Sequence, residues 1–139
     1  MLLGTYYHSL EAKRRVMLPK QLRVAAKEWV VTRGFDGCLF IFPSEIYTKE
    51  MQKLEESSFT KKGTRDITRL LAGDAQVITP DSYGRVQLPE YLSTLAGLKK
   101  ELVVVGAHSR VEIWDRDRYH QYRDELDAQA EEIAEKAFP

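Results

Sequence analysis

Two segments of the chain set an acidic residue four positions ahead of an arginine and just before a Leu-Pro pair: Glu11-Ala12-Lys13-Arg14-Arg15 and Asp81-Ser82-Tyr83-Gly84-Arg85. An apolar residue follows each arginine, then one further residue and Leu-Pro, at Val16 to Pro19 and Val86 to Pro89. In the second segment Asp81 can accept hydrogen bonds from backbone N–H groups two residues on and so shape a turn. Gly84 supplies a positive φ there at no steric cost. Arg85 then opens a strand beside an exposed turn. A guanidinium so placed can donate two parallel hydrogen bonds to guanine O6 and N7, or pair with a phosphate. For one such motif, an arginine paired only with its own aspartate is the simpler reading. Its occurrence twice in one chain argues for a shared task.

The elements that carry the two segments are themselves repeated, and internal repeats decide architecture. Glu11 to Leu22 aligns with Asp81 to Leu92 at an offset of 70, with Arg, Val, Leu, Pro and Leu coinciding. Further on the offset is 72: Gly34 falls on Gly106, Leu39 on Val111, Ile41 on Ile113, Phe42 on Trp114, Tyr47 on Tyr119 and Leu54 on Leu126. The chain thus divides into related halves, 1–70 and 71–139.

Each half reads as a short strand (Thr5 to Ser9; Ala75 to Thr79), a polar turn and a second strand (Arg15 to Leu18; Arg85 to Leu88). Proline then opens a short helix, where its missing N–H does no harm. The β-branched runs Val30 to Thr32 and Leu102 to Val105 predict a third strand, and Cys38 to Phe42 and Arg110 to Trp114 a fourth. Asp36-Gly37 is a hairpin signal between them. A helix ends each half. Tyr119, Tyr122, Leu126, Ala130, Ile133 and Ala137 form one stripe at helical spacing, expected to be packed within the protein or an assembly. Tyr47, Met51 and Leu54 form a shorter one. Lys61-Lys62-Gly63 reads as a break, with one or two helical turns from Asp66 to Leu71. Four short strands cannot cover both faces of their own sheet. The halves must therefore pack together with pseudo-twofold symmetry, as one β-rich α+β domain with helices outside.

Other chemistry is poorly represented. Asp36, Asp66, Asp74, Asp81 and Glu112 lack metal-ligand spacing such as H-E-x-x-H. His8, His108 and His120 are scattered and read as structural. No G-x-S-x-G, Walker loop or dinucleotide glycine pattern occurs. Cys38, the one cysteine, excludes an internal disulfide and any multi-cysteine metal site. No catalytic residue, cofactor, metal or small-molecule substrate is expected, and the chain is not read as an enzyme. No apolar run reaches the ~18 residues of a membrane span, and the N-terminus lacks the pattern of a secretory signal. A cytoplasmic location is expected.

Charge bears on the arginines. The chain carries 21 basic and 21 acidic residues, a net charge of zero, whereas a DNA-binding domain is usually basic. The distribution is uneven. Between Leu10 and Lys27 lie Lys13, Arg14, Arg15, Lys20, Arg23 and Lys27 against Glu11 alone, while Asp115 to Lys136 holds eight acidic and four basic residues.

The D-x-x-G-R segment with its apolar-x-Leu-Pro sequel, present twice, resembles the MraZ family. So do the opening Met-Leu-Leu-Gly-Thr, the Arg33-Gly34-Phe35 turn and Glu112-Ile113-Trp114 before the last helix. The resemblance covers essentially the whole chain. It implies an AbrB-like, swapped-hairpin β-barrel fold. It also implies regulation of transcription by binding double-stranded DNA at short direct repeats upstream of the division and cell-wall gene cluster, as a nucleoid-associated ring, with an octamer as the expected size. The motif arginines would lie on the DNA-binding surface: here Arg15 and Arg85, with Lys13, Arg14 and Tyr83 as neighbours. Glu11, Asp81 and Gly84 form the turns. The first motif departs from the pattern, with Glu11 in place of Asp and Arg14 in place of Gly. A non-glycine residue in the left-handed region costs roughly 1 kcal/mol, so a different turn shape is expected there. An antitoxin-like module of the same fold class and a purely structural ring protein are the alternatives.

Overall fold

The computed structural model describes residues 1–138. The chain runs through β1 (Leu2–Ser9), a 3-10 turn (Ala12–Arg14), β2 (Arg15–Met17), α1 (Lys20–Arg23), β3 (Trp29–Arg33), β4 (Leu39–Pro43), α2 (Ser44–Glu56) and α3 (Lys62–Gly73). The second half gives β5 (Gln76–Ile78), β6 (Arg85–Gln87), α4 (Glu90–Leu95), β7 (Glu101–His108), β8 (Val111–Asp115), α5 (Arg116–Ala128) and α6 (Ala130–Ala137). The expected strands are present with ends shifted by a few residues. Asp36 and Gly37 both have positive φ, 68° and 99°, as a tight hairpin of the right twist demands.

Six strands form one antiparallel sheet in the order β1-β7-β8-β4-β3-β5, and β2 pairs with β6 in a separate ribbon. The halves exchange strands. β1 lies along β7 from Leu2↔His108 to Ser9↔Glu101, and β5 lies on β3 from Trp29↔Ile78 to Val31↔Gln76. So the first strand of each half completes the sheet of the other, the arrangement of the swapped-hairpin class. The register shows the symmetry directly. Leu39 faces Ile113, and its counterpart Val111 faces Ile41, which places a twofold relation at Phe40 and Glu112. In the ribbon Arg15 faces Gln87 and Met17 faces Arg85, which centres the same relation on Val16 and Val86.

The fold is α+β, and its sheet does not close into a barrel: β1 and β5 are its edges. The reason is the departure of β2 and β6 from the sheet. They cover its inner face as a ribbon, and Val16, Leu18, Val86 and Leu88 drop from it into one core with Leu22, Leu92, Trp29, Val31, Ile41, Leu102, Val104 and Ile113. A second, smaller core on the outer face gathers Phe40, Phe42, Val103, Trp114 and Tyr119 beneath α2 and α5. The ribbon is thereby anchored by apolar side chains, while its other surface and its two turns face solvent.

Two helical expectations are corrected. The break lies at residues 57–61, so of Lys61-Lys62-Gly63 only Lys61 belongs to it: α3 begins at Lys62 and runs for 12 residues. Gly63 falls in the first turn, where N–H groups have no intrahelical partner in any case. The helix is fastened at its far end, where Leu71 O accepts from Thr32 Oγ1 at 2.9 Å and Tyr47 Oη at 3.1 Å. The C-terminal stripe is divided at Gln129, whose φ of −118° ends α5. Tyr119 and Trp114 pack closely, but every residue of α6 is exposed. At the N-terminus Leu2 belongs to the core and Tyr6 packs against it, while Met1, Leu3 and Tyr7 present apolar surface.

Candidate nucleic-acid interface

The antiparallel pairing of β2 with β6 brings the two repeated turns, 70 residues apart in the chain, to one structural unit. Each is clasped by the other's strand. Leu18 N donates to Gly84 O, and Leu88 N donates to Arg14 O, both at 2.9 Å. Neither turn can shift without disturbing its counterpart.

The second turn forms as its residues dictate. Asp81 Oδ1 accepts from the backbone N–H of Tyr83 at 2.9 Å and of Arg85 at 3.0 Å. Gly84 N donates to Asp81 O at 2.9 Å, and Gly84 has φ +84°. The Arg85 N–H, followed by that of Tyr83 and by the charges of Arg85 and Arg15, holds the Asp81 carboxyl below its ordinary 3.8. Gly84 is buried under the guanidinium of Arg23, whose Nη1 also donates to Leu18 O at 3.1 Å. Arg23, one of the basic residues between Leu10 and Lys27, is therefore turned inward. Lys20 is exposed.

The first turn closes with Glu11 N donating to Arg15 O at 2.8 Å, but no side-chain bond from Glu11 caps it. Arg14 adopts φ 58°, the left-handed conformation that its place opposite Gly84 requires, and Lys13 does the same at φ 61°. Arg14 is half-buried and its Nε donates to Leu88 O at 3.1 Å. Gln87 Nε2 donates to Lys13 O at 3.1 Å. The freed Glu11 carboxylate reaches across the ribbon and accepts from Arg85 Nε at 2.6 Å. Glu11 is thus a partner of the other repeat's arginine, not a shaper of its own turn.

Lys13 and Arg15 are exposed, Tyr83 is 72% exposed, and Arg85 is half-buried with its Cζ 5.9 Å from the Tyr83 ring centre. This surface offers cations, hydrogen-bond donors and one aromatic ring. It has the components for anion and base-edge contacts. No cluster of three or more metal-holding side chains is found among the described residues.

An α+β domain of two strand-exchanged repeats, with a solvent-facing ribbon carrying paired acid–arginine turns, belongs to the swapped-hairpin class. The profile of the MraZ family, described as an antitoxin-like MraZ protein, matches residues 1–70 and again 71–139. A protein of Heliobacterium modesticaldum named transcriptional regulator MraZ is 37% identical over 98% of this chain and 96% of its own length. Proteins of the same name from Lactobacillus delbrueckii subsp. bulgaricus and Carboxydothermus hydrogenoformans are 40% and 39% identical, over 97% and 98% of this chain and 95% and 96% of their own lengths. The chain belongs to the MraZ family.

Proposed function

We propose that this protein regulates transcription by binding double-stranded DNA through the β2–β6 ribbon and its two turns. The observation that carries the reading is the convergence of both acid–arginine turns on one exposed ribbon. A two-stranded ribbon fits the major groove. The near-full-length relatives named as transcriptional regulators support the same reading. The halves 1–70 and 71–139 act as one binding unit, since each turn is clasped by the other. Arg15 and Arg85 are the base-reading candidates. Lys13 and Lys20 supply phosphate contacts, which position the protein without reading sequence. Arg14, tethered to Leu88, has a smaller share in binding than its charge alone suggests.

The target is a set of short direct repeats upstream of the gene, heading a division and cell-wall cluster, engaged by a closed homo-oligomer, an octamer. One pair of turns gives a modest grip. Several copies gain through effective concentration when their spacing matches the repeats. The uncovered α6 and the exposed Leu3 and Tyr7 provide apolar surface for such an assembly. A toxin-partner module would typically carry a disordered tail, whereas this chain continues into the helices α5 and α6.

The test is a mobility-shift titration with duplex DNA from immediately upstream of the gene, against a scrambled duplex, using the wild type, Arg15→Ala and Arg85→Ala. Each substitution removes one base contact, about 1–3 kcal/mol of discrimination per site. No shift with the wild type, or equal affinity in all three proteins, refutes the reading. Light scattering at micromolar concentration tests the oligomer, and a persistent monomer refutes it.

A further inference from the structure

We infer that Glu11 is a positioning residue for DNA recognition: from one repeat it orients the Arg85 guanidinium of the other to read a guanine. The inference rests on the DNA-binding reading above and divides the labour between two turns that the sequence repeat makes look equivalent.

The geometry is specific about which edge of Arg85 is used. Glu11 Oε2 accepts from Nε at 2.6 Å, and this is the one hydrogen bond the Arg85 side chain makes among the described residues. Both terminal nitrogens are left free. They form the fork that matches guanine O6 and N7. The Tyr83 ring lies beside the same guanidinium. The two groups are 31% and 41% exposed, so they are held at the surface and remain reachable. A planar fork fixed in advance loses less rotamer freedom on binding than one that must first be ordered.

Arg15 has no such support. Its side chain makes no hydrogen bond or ion pair within the described residues, and its pseudo-symmetric partner would be Asp81. That carboxylate is committed to its own turn, where Oδ1 accepts two backbone N–H groups. Glutamate at position 11 is longer by one methylene, and its side chain caps no backbone N–H of its own turn. The departure of the first motif from the repeat pattern and the orientation of the second arginine therefore have one cause. A carboxylate on a DNA-facing surface weakens attraction to every phosphate equally. It makes physical sense there as a device that sacrifices general affinity for discrimination.

The experiment uses the full chain in fluorescence-anisotropy titrations on the upstream duplex and on a series in which one base pair at a time is exchanged. Arg85→Ala should flatten the preference at one G·C position by about 5- to 150-fold, the range for a bidentate contact. Glu11→Ala should reduce the preference at the same position by about two- to fivefold, the range for an exposed ion pair. Glu11→Gln, which keeps an acceptor at the same length, should fall between Glu11→Ala and the wild type. The double variant Glu11→Ala/Arg85→Ala should match Arg85→Ala alone. A purely structural role for Glu11 would not produce that position-specific, non-additive pattern. If Glu11→Ala keeps the preference at the position that Arg85→Ala flattens, or tightens cognate binding, the inference is overturned while the DNA reading stands. If Arg85→Ala weakens all duplexes equally, Arg85 touches phosphate only and the inference is again overturned. If Arg15→Ala and Arg85→Ala both bind as the wild type does, the DNA reading fails and takes this inference with it.

Discussion

In Gly84→Ala the new methyl carbon would stand 1.9 Å from Nη1 of Arg23 and 2.4 Å from its Cζ. Two separable costs follow. The backbone at φ +84° lies in the left-handed region, where a Cβ adds about 1–2 kcal/mol. Arg23 must also swing outward, which breaks its bonds with Leu18 O at 3.1 Å and Met17 Sδ at 3.3 Å. Water takes over the freed guanidinium, so the net cost is about 0.5–1.5 kcal/mol. Together the substitution should destabilise by about 2–3 kcal/mol, on the order of 4–12 °C in melting temperature for a chain of this length. Thermal unfolding followed by circular dichroism measures it. In an Arg23→Ala background the steric part is already gone, so the further destabilisation from Gly84→Ala should shrink to the backbone part of about 1–2 kcal/mol. A Gly84→Ala protein that melts with the wild type, or a destabilisation unaffected by Arg23→Ala, would refute this account of the turn.

At the equivalent position, Arg14→Gly should relieve about 1 kcal/mol of left-handed strain and remove the bond from Arg14 Nε to Leu88 O. A net stability change within about 1 kcal/mol is expected from the same melts. Lys13→Ala should reduce the steepness of log K against log salt by about 0.9 for each phosphate that is no longer neutralised, with the ranking of duplexes unchanged in anisotropy titrations. Asp81 has its folded value held below 3.8, chiefly by the Arg85 N–H. Its contribution to stability is therefore present above the unfolded value and lost as pH falls below it. The stability gap between the wild type and Asp81→Asn should close across that acidic window in urea titrations. Cys38 is 3% exposed. Burial first, with the Glu112 and Asp36 charges adding, pushes its thiol well above the ordinary value. Iodoacetamide at about pH 8 should leave it unlabelled until the protein is unfolded.

The repeat was readable because its two copies keep the same residues where the same turn and core position recur: Val16 and Val86 meet on the twofold relation, and Leu18 and Leu88 are fully buried. The positive φ of Arg14 was readable from the glycine in the other copy. That of Lys13 was not, since no glycine marks it. Arg23 looked like a solvent-facing cation because its packing against Leu18 and Gly84 depends on tertiary placement. The true partner of Glu11 was hidden for the same reason: it lies 74 residues away and meets Glu11 only across the ribbon. The break after α2 was readable, but Gly63 lies inside α3 and not in that break, since glycine in a first helical turn costs little when the other end is tied to Thr32 and Tyr47. The open sheet was not legible either, because nothing local to β2 or β6 says that they leave it.

The exchange of strands between halves has a consequence for how the molecule is made. β1 is translated about a hundred residues before β7, its partner from Leu2↔His108 to Ser9↔Glu101. At roughly 5–20 residues per second, β1 waits several seconds for that partner to be synthesised. β3 and β4 can form their hairpin early, but their sheet lacks β5 until the second half has begun. The inner core cannot close until Val16 and Val86 meet. Folding is therefore dominated by non-local pairing, which is slow because loop-closure entropy is given up before the interactions that offset it are made. A nascent chain stopped after residue 70 would hold β1 as an unpaired strand beside an uncovered apolar sheet. That is a substrate for chaperones or proteases, not a half-working repressor or activator.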